Sequence, residues 1–505
     1  MHLARPGRPC HVAGFLLVML IGASTFAQDD AKQQFISSLS LRAERVIIDQ
    51  SVPSIVWLTQ TSPAAYRPSG PMTLKLALYA APAPQAAPGG NAPPPAPLAE
   101  GAKPVKDLGT VEIFARDIAQ KPLGASVDFT GVADGNYRIV ADLTEGDASL
   151  AHLEDSIWLA NGIVTRLPDV RARLERITGH ESTKATILYP FDYARVINTS
   201  RRAYDDGRDL GIDESSKPNF LNFTEQLKTS MDLLAALESG KDLLWQAKGD
   251  QKRNYLMAQT GEIMPYRQYV PSTWDGKTPL PLIFILHGNT RNQDFYFDRD
   301  ARIIPNHAEK FGYMIVATFG YHPNGGYNVG MLRGGAGGGR GGNASFGPAQ
   351  AGGRGNRGGG FMNGMPTSRL GELSEADTMN VYELIHKEYP IDARRTFLFG
   401  YSAGGNGGYY IAEKYNQNWA AVVLGGANTG PNNFPFDRVK HIPFQIFFGD
   451  QDSAGVQSGS RAMVEAMKQQ GMDARLVELK GFNHDTAVAG GTPSAFEFFS
   501  AHPRK

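Results

Sequence analysis

The sequence predicts an α/β protein in which a mostly parallel sheet, covered by helices on both faces, follows a small β-sandwich-like domain and a helical connector. Three patterns indicate this architecture. In the C-terminal half, short and continuous apolar runs alternate with amphipathic stretches, as expected for parallel strands buried on both faces. The N-terminal part contains short β-branched and aromatic segments separated by Gly, Pro and Asp. Between these parts, apolar residues recur at spacings of three and four, the period of a helix face.

A chain of 505 residues is too long for one hydrophobic core, so we expect two or three domains. Lys plus Arg and Asp plus Glu number 50 each, and this neutral balance argues against a nucleic acid or an anionic membrane as the partner. The predicted ranges are a signal peptide (1–27), a β-rich domain (28–166) with a Pro/Ala-rich loop (81–104), a helical connector (167–252) and a C-terminal α/β domain (253–505) with a Gly/Arg-rich insertion (324–364).

The first residues have the pattern of a cleaved secretory signal. Arg5 and Arg8 precede the apolar stretch Val12–Ile21, and small residues then lead to Ala27. The apolar stretch is too short for a stable membrane span, although a retained N-terminal anchor is the alternative. Cleavage after Ala27 removes the single cysteine, Cys10, so the mature chain would contain no thiol. We therefore expect a secreted or periplasmic protein without a membrane anchor after cleavage.

Several short strands are predicted in the β-rich domain, and no catalytic motif accompanies them. They include Ser54–Leu58, Met72–Tyr79, Leu108–Phe114 and Tyr137–Leu143. The segment Ala81–Pro104 between two of them is dense in Ala and Pro and cannot bury enough apolar surface to fold, so we expect a loop there.

The connector contains a predicted amphipathic helix that packs against one or both neighbouring domains. Its apolar stripe consists of Phe220, Phe223, Leu227, Met231, Leu234 and Leu237.

The C-terminal domain contains six predicted core strands. They are Leu280–Leu286, Tyr313–Thr318, Thr396–Phe399, Ala420–Leu424, Phe444–Phe448 and Arg475–Leu479. The clearest helix between them is Ser374–Tyr389, which ends before Pro390. We interpret Ser374 and Asp377, three residues apart, as a capping box at the start of this helix.

The insertion Asn324–Gly364 is mainly Gly with scattered Arg. A nucleic-acid-binding tract is one interpretation, but few aromatic residues are present for base stacking. We favour a flexible insertion in a surface loop. Its place between a core strand and the helix that leads to the next core strand puts it near the C-terminal edge of the sheet, where it could cover a site.

A nucleophile motif follows the third core strand. Gly400-Tyr401-Ser402-Ala403-Gly404 has the G-x-S-x-G pattern, and a helical stretch comes after it. A sharp strand–turn–helix elbow of this kind exposes the serine hydroxyl to a base. Gly400 and Gly404 are small because the turn presses the backbone against its neighbours. The pattern alone has a high false-positive rate, and the strand before it is what makes the prediction specific.

Two later loops supply the other members of a triad. His484 follows the last core strand and is the candidate general base for Ser402. Asp450 and Asp452 both follow the preceding core strand, and either carboxylate could orient the imidazole. We prefer Asp452, because Asp450 is nearer the strand end and better placed to form a turn. The chain order Ser402, Asp452, His484 is that of α/β-hydrolases.

The oxyanion that forms during acyl transfer needs two N–H donors. The N–H of Ala403, directly after the nucleophile, is one candidate, and the N–H of Asn289 is the other. Asn289 lies in the loop after the first core strand, where Gly288 would let the backbone approach a substrate. His287 precedes the predicted triad residues in the chain and lies in a tight turn, so we expect it to be structural.

With these residues, the region from Tyr255 to His502 resembles secreted α/β-hydrolases of the polyhydroxybutyrate depolymerase and feruloyl-esterase-like group. The segments that carry the resemblance are Tyr266–Pro271, Leu280–Asn289, Arg395–Gly405, Ile446–Asp452 and Gly481–His484. The resemblance implies the α/β-hydrolase fold and hydrolysis of carboxylic esters through an acyl-enzyme, with no metal and no cofactor. The Gly/Arg-rich insertion is not a feature of the group, and residues 28–250 match no family.

Three functions are therefore compatible with the sequence. The first is an exported serine carboxylesterase or depolymerase that acts on a small-molecule or polymeric ester. The second is a serine peptidase resembling the prolyl oligopeptidase group, although the β-rich part is too short for a seven- or eight-bladed propeller. The third is a non-catalytic binding protein on a hydrolase scaffold, which would have no need of a triad.

Overall fold

The computed structural model of the protein describes residues 30–61, 66, 68, 70–81, 98–205, 223–329, 361–362 and 365–504. The described chain forms two compact units, one up to Thr165 and the other from Arg166 onward. The predicted signal peptide, most of the predicted Pro/Ala-rich loop and most of the Gly/Arg-rich insertion lie outside the described residues. None of the helices in the described part of the chain is long and apolar enough to cross a membrane.

The N-terminal unit contains eight strands and two helices among its described residues. In chain order they are helix α1 over residues 30–38, β1 (Leu39–Ala43), β2 (Ile47–Ile48), β3 (Ser54–Gln60), β4 (Met72–Ala80), β5 (Lys106–Ile113), α2 (Ala115–Gln120), β6 (Leu123–Val127), β7 (Gly135–Glu145) and β8 (Ala148–Leu159). One sheet has the order β1-β3-β6 and the other β2-β8-β7-β4-β5. These two sheets differ from a ring of four-stranded propeller blades.

The two N-terminal sheets share one hydrophobic core, so the unit is a small β-sandwich. Leu41 and Val56 come from the three-stranded sheet, while Leu74, Ile139 and Leu143 come from the five-stranded sheet. The alternation of buried and exposed residues at the start of β4 produces this inward-facing row, since neighbouring side chains of a strand point to opposite faces.

The C-terminal unit begins with three helices, α3 (Leu167–Glu175), α4 (Glu181–Asp205) and α5 (Phe223–Glu238). In the predicted apolar stripe, Phe223, Leu227, Leu234 and Leu237 are buried, Met231 is half-buried and Phe220 lies outside the described residues.

Helix α4 is attached to the first strands of the C-terminal sheet. Ser182 donates to the carbonyl of Asn254, and the buried guanidinium of Arg253 donates to Ser182 and to Glu388. The helices that were assigned to a connector therefore belong to the same compact unit as the sheet.

The sheet of the C-terminal unit has eight strands. They are β9 (Gly249–Met257), β10 (Glu262–Val270), β11 (Leu280–Leu286), β12 (Met314–Thr318), β15 (Ile391–Tyr401), β16 (Ala421–Gly425), β17 (Phe444–Gly449) and β18 (Ala474–Leu479), and β13 (Phe361–Met362) and β14 (Met365–Pro366) form a separate short hairpin. The order is β18-β17-β16-β15-β11-β12-β10-β9. From β12 to β18 the pairs are parallel, and β10 and β9 complete the sheet with antiparallel pairs. This is the α/β-hydrolase fold.

Helices cover both faces of this sheet. They are α6 (Phe295–Asp298), α7 (Ile303–Phe311), α8 (Thr367–Glu388), α9 (Ala403–Lys414), α10 (Phe436–Val439), α11 (Ala454–Gln469) and α12 (Ala487–Ala501). Within β11, Leu282 and Phe284 belong to the core on one face, with residues of α8, α9 and α11. Ile283 and Ile285 belong to the core on the other face, with residues of α7 and α12. The continuous apolar runs therefore arise because successive strand residues are buried on opposite faces.

The predicted capping box is wrong. Helix α8 begins at Thr367, so Ser374 and Asp377 lie inside the helix, and both are fully buried. Their side chains bind the loop that follows β12 instead of a helix terminus. The start of the predicted insertion also differs from a free surface loop, because Gly326–Asn328 forms a 3₁₀ turn in which Tyr327 and Asn328 are buried.

The N-terminal unit contains a buried carboxylate with a testable effect on stability. Asp49 accepts hydrogen bonds from Ser51, from Val164 and from Thr165. Burial acts to raise the pKa of Asp49, but these hydrogen bonds outweigh it and lower the pKa to about 2 from 3.8. The stabilisation is therefore fully present above the ordinary carboxyl pKa and is lost as the pH falls toward 2.

We expect Asp49→Asn to reduce the free energy of unfolding by about 1–3 kcal/mol at pH 7, because charge-assisted hydrogen bonds to buried N–H groups are lost. The deficit should be smaller at pH 3. Urea denaturation at both pH values measures it, with Glu112→Gln on the exposed side of β5 as the matched control. An equal deficit at both pH values would show that the charge of Asp49 is not the cause.

Candidate active site

Ser402 occupies a sharp turn between β15 and α9. Its φ of 59° and ψ of −119° lie outside the ordinary regions for a non-glycine residue. The strand ends at Tyr401 and the helix begins at Ala403, so the serine projects from the end of the strand. The N–H of Ser402 donates to the carbonyl of Gly425 at 2.9 Å, which ties the turn to the neighbouring strand β16.

The glycines on either side of the turn are required by close backbone approaches. A Cβ at Gly400 would overlap the carbonyl oxygen of Gly404, and a Cβ at Gly404 would overlap the carbonyl oxygen of Leu286. The turn is thus pressed against the end of β11. Any residue other than glycine at these positions would have to displace backbone rather than a movable side chain.

Ser402, His484 and Asp452 form one hydrogen-bonded chain. The Oγ of Ser402 lies 3.0 Å from Nε2 of His484, and Nδ1 of His484 lies 2.7 Å from Oδ2 of Asp452. The carboxylate side chain is 3% exposed, whereas the imidazole is 41% exposed. The other carboxylate oxygen of Asp452 accepts from the N–H of Ser453 at 2.6 Å. A buried acid therefore fixes the orientation of an accessible base beside the serine.

Asp450, the alternative acid, has a different place. Its Oδ1 accepts from the N–H of Gly481 at 2.8 Å, at the start of the loop that carries His484. The side chain of Gln457 donates to the carbonyls of both Asp450 and Asp452, so it connects the two residues. Asp450 thus holds residues 481–484, which we call the histidine loop, while Asp452 contacts the imidazole itself.

The sequence contained no signal for Tyr401, which occupies a variable position of the motif. Its hydroxyl donates to the carbonyl of His484 at 2.7 Å, and the two rings are 5.2 Å apart. The histidine loop is therefore held from two sides, by Asp450 at Gly481 and by Tyr401 at His484.

The two candidate oxyanion donors have no hydrogen-bond acceptor within the part of the chain that the structure describes. They are the N–H groups of Asn289 and of Ala403. Ala403 opens α9, where backbone N–H groups lack partners within the helix. A Cβ at Gly288 would lie 3.3 Å from Cβ of Ser402, so the loop with Asn289 runs directly beside the serine.

His287 is buried below this loop. Its Nδ1 lies 2.8 Å from the carbonyl of Gly288, and its Nε2 lies 2.7 Å from the carbonyl of Phe319. Burial lowers the pKa of His287, although the two carbonyl contacts oppose this effect. Both ring nitrogens face backbone carbonyls and the residue is 3% exposed, so neither nitrogen is accessible to a substrate.

In the described part of the chain, no group of three or more His, Cys, Asp or Glu residues is arranged to hold a metal ion.

Solved structures with some similarity to this chain include several esterases. A thermostable esterase has 20% sequence identity and a TM-score of 0.38, covers 50% of this chain, and is itself covered over 63% of its length. A fluorophosphonate-binding serine hydrolase of Staphylococcus aureus has 14% identity, a TM-score of 0.36 and coverages of 50% and 99%. A ferulic acid esterase of Anaeromyces mucronatus has 16% identity, a TM-score of 0.35 and coverages of 50% and 90%.

Neither a protein-family model nor a curated protein matches the sequence. The fold assignment rests on the strand order of the C-terminal sheet and on the helices that cover it.

The close approach at the elbow predicts a strong effect of one added methyl group. We expect Gly404→Ala to destabilise the protein by about 1–3 kcal/mol or more, because the new Cβ overlaps the backbone of Leu286. Thermal unfolding measures the change. Gly459→Ala is the matched control, since Gly459 lies within α11 and the nearest atom to its added Cβ is 3.5 Å away. Equal melting temperatures for the two variants would contradict the crowding seen at the elbow.

Proposed function

We propose that the protein is an exported serine hydrolase that cleaves carboxylic esters through an acyl-enzyme. One observation carries the proposal: the hydrogen-bonded chain from Ser402 through His484 to the buried Asp452, which lies beside two backbone N–H groups that have no acceptor among the described residues. Export is proposed from the N-terminal signal pattern in the sequence.

In the first half of the reaction, Oγ of Ser402 attacks the ester carbonyl carbon while Nε2 of His484 takes the hydroxyl proton. Asp452 holds the imidazole through Nδ1 and stabilises the imidazolium that forms. The carbonyl oxygen gains the negative charge and accepts hydrogen bonds from the N–H groups of Asn289 and Ala403. When the tetrahedral intermediate collapses, His484 returns the proton to the departing alkoxide, which leaves as the alcohol.

The second half repeats these proton transfers with water. His484 removes a proton from a water molecule, which attacks the acyl carbon of the Ser402 ester. Collapse of the second intermediate breaks the bond to Oγ, returns the proton to Ser402 and releases the carboxylic acid. The reaction therefore uses no redox partner and regenerates the enzyme.

The proposed substrates are carboxylic esters of the polyester or hydroxycinnamoyl type, as the sequence resemblance implies. The alternatives of a peptidase and of a non-catalytic binding protein gain no specific support from the geometry. A panel of aryl, short-chain, hydroxycinnamoyl and polyester substrates distinguishes among the ester classes.

The first test concerns the nucleophile. We expect the protein to hydrolyse a short p-nitrophenyl ester, and Ser402→Ala to lower kcat at least about 10⁴-fold. Ser458→Ala, on the exposed side of α11, should keep the wild-type rate and is the matched control. Comparable cleavage of an acyl-prolyl amide would favour the peptidase. Absence of labelling by a serine-reactive phosphonate would leave only the binding protein.

The second test separates the two aspartates. We expect Asp452→Asn to lower kcat about 10⁴-fold, because an amide at this place favours the wrong tautomer of His484. Asp450→Asn should stay within about tenfold of the wild type, because the amide oxygen can still accept from Gly481. Steady-state kinetics with the same ester measures both. The reverse ranking would assign the triad acid to Asp450.

A further inference from the structure

A buried polar network lies beneath the candidate oxyanion loop, and the mechanism above does not use it. We call residues 319–329, which follow β12, the β12 loop. Helix α8 binds this loop with the side chains of Ser374, Glu375 and Asp377. Each of these three polar residues is at most 6% exposed. Burial of three polar groups on one helix is costly unless they are hydrogen-bonded, and here all three bind the loop or its neighbours.

The carboxylate of Asp377 divides its hydrogen bonds between two sides. Its Oδ2 accepts from the N–H of Tyr321 in the β12 loop at 3.0 Å. Its Oδ1 accepts from the hydroxyl of Tyr255 at 2.6 Å, which comes from strand β9. One side of the carboxylate therefore holds the loop, and the other side holds a strand remote from Ser402 in the sheet order.

Two residues of the β12 loop connect Asp377 with His287. The carbonyl of Phe319 lies 2.7 Å from Nε2 of His287, and Phe319 comes two residues before Tyr321, whose N–H donates to Asp377. The carboxylate therefore holds the backbone segment whose carbonyl contacts the imidazole. His287 is followed directly by Gly288 and Asn289, so the chain of contacts ends at the candidate oxyanion donor.

The β12 loop also contacts the loop that carries Asn289 through Pro323, Asn324 and Tyr327. The N–H of Thr290, next to Asn289, lies 2.9 Å from Oδ1 of Asn324 and 3.0 Å from the carbonyl of Pro323. The hydroxyl of Tyr327 donates to the carbonyl of His287 at 3.2 Å. A shift of the β12 loop would therefore move the residues on both sides of the Asn289 N–H.

We propose that Asp377 is a positioning residue for the oxyanion hole, acting through the backbone of residues 319–321 and through His287 on the N–H of Asn289. The inference rests on the proposed function, because it assigns a task to a residue that touches neither substrate nor Ser402. A displaced donor weakens binding of the oxyanion more than binding of the ground-state ester, so the effect appears in kcat rather than in KM.

The charge of Asp377 makes this arrangement sensitive to pH. Burial raises the pKa of Asp377 to about 6, although its hydrogen bonds from Tyr255 and Tyr321 oppose the rise. The titratable groups that face it are Tyr255 of β9, Tyr321 and Tyr327 of the β12 loop, and His287 on the other side of the Phe319 carbonyl. As the pH falls through about 6, the carboxyl becomes protonated and holds the loop less strongly, which adds to the acidic decline of kcat.

The test compares Asp377→Asn with the matched control Tyr255→Phe in the full chain, with the p-nitrophenyl ester as the probe. Both variants change the hydrogen bond between Tyr255 and Asp377, but only Asp377→Asn also changes the hydrogen bond from Tyr321 in the β12 loop. At pH 9 we expect Asp377→Asn to lower kcat about tenfold to a hundredfold with KM within about twofold of the wild type. Tyr255→Phe should keep the wild-type kcat at this pH.

The pH profile supplies the second readout. Loss of the Tyr255 hydroxyl removes a hydrogen bond that lowers the pKa of Asp377, so the acidic limb of kcat should move to higher pH in Tyr255→Phe. If Asp377→Asn does not fold, the shift of the acidic limb in Tyr255→Phe still tests the proposed role of Asp377.

An unchanged limb in Tyr255→Phe, or a folded Asp377→Asn with wild-type kcat or a loss confined to KM, would overturn the inference. A wild-type protein without ester hydrolysis would instead overturn the proposed function, so the two failures are distinguishable.

Discussion

The backbone of Ser402 is the constraint on which the candidate site depends. The residue holds a strained conformation at the end of β15, and Gly400 and Gly404 permit the backbone approaches that keep it there. In the parallel sheet the carboxyl ends of the strands share one edge, so the loops after β11, β17 and β18 lie along the same rim as the serine. Strands β17 and β18, which precede Asp452 and His484, are on one side of β15, and β11, which precedes Asn289, is on the other. The hydroxyl of Ser402 thus lies between the candidate base and the candidate oxyanion donors.

Much of the C-terminal fold was predictable because its signals are local. Strands buried on both faces appear as continuous apolar runs, and the predicted Leu280–Leu286 agrees with β11 to the residue. Ser402, Asp452 and His484 were predictable because each follows such a run in a known chain order, and the structure brings them together. In the N-terminal unit, β8 was missed because its outward side chains, among them His152 and Glu154, are charged or titratable and interrupt the apolar pattern of the strand.

Other parts were not predictable because they depend on partners distant in the chain. Ser374 and Asp377 have the spacing of a capping box, and no local feature distinguishes a cap from two buried side chains that bind a loop about fifty residues earlier. The choice between Asp450 and Asp452 likewise depended on the histidine loop, about thirty residues later. In both cases the same short sequence pattern is compatible with two local structures, and contacts with residues distant in the chain determine which one forms.

The most direct measurement of the central claim is a crystal structure of the protein after reaction with an alkyl phosphonate ester, which mimics the tetrahedral intermediate. We expect phosphorus to be bonded to Oγ of Ser402, with the phosphoryl oxygen about 2.7–3.1 Å from the backbone nitrogens of both Asn289 and Ala403. His484 should remain between Ser402 and Asp452. Modification of another residue, or a phosphoryl oxygen beyond hydrogen-bond distance of both nitrogens, would contradict it.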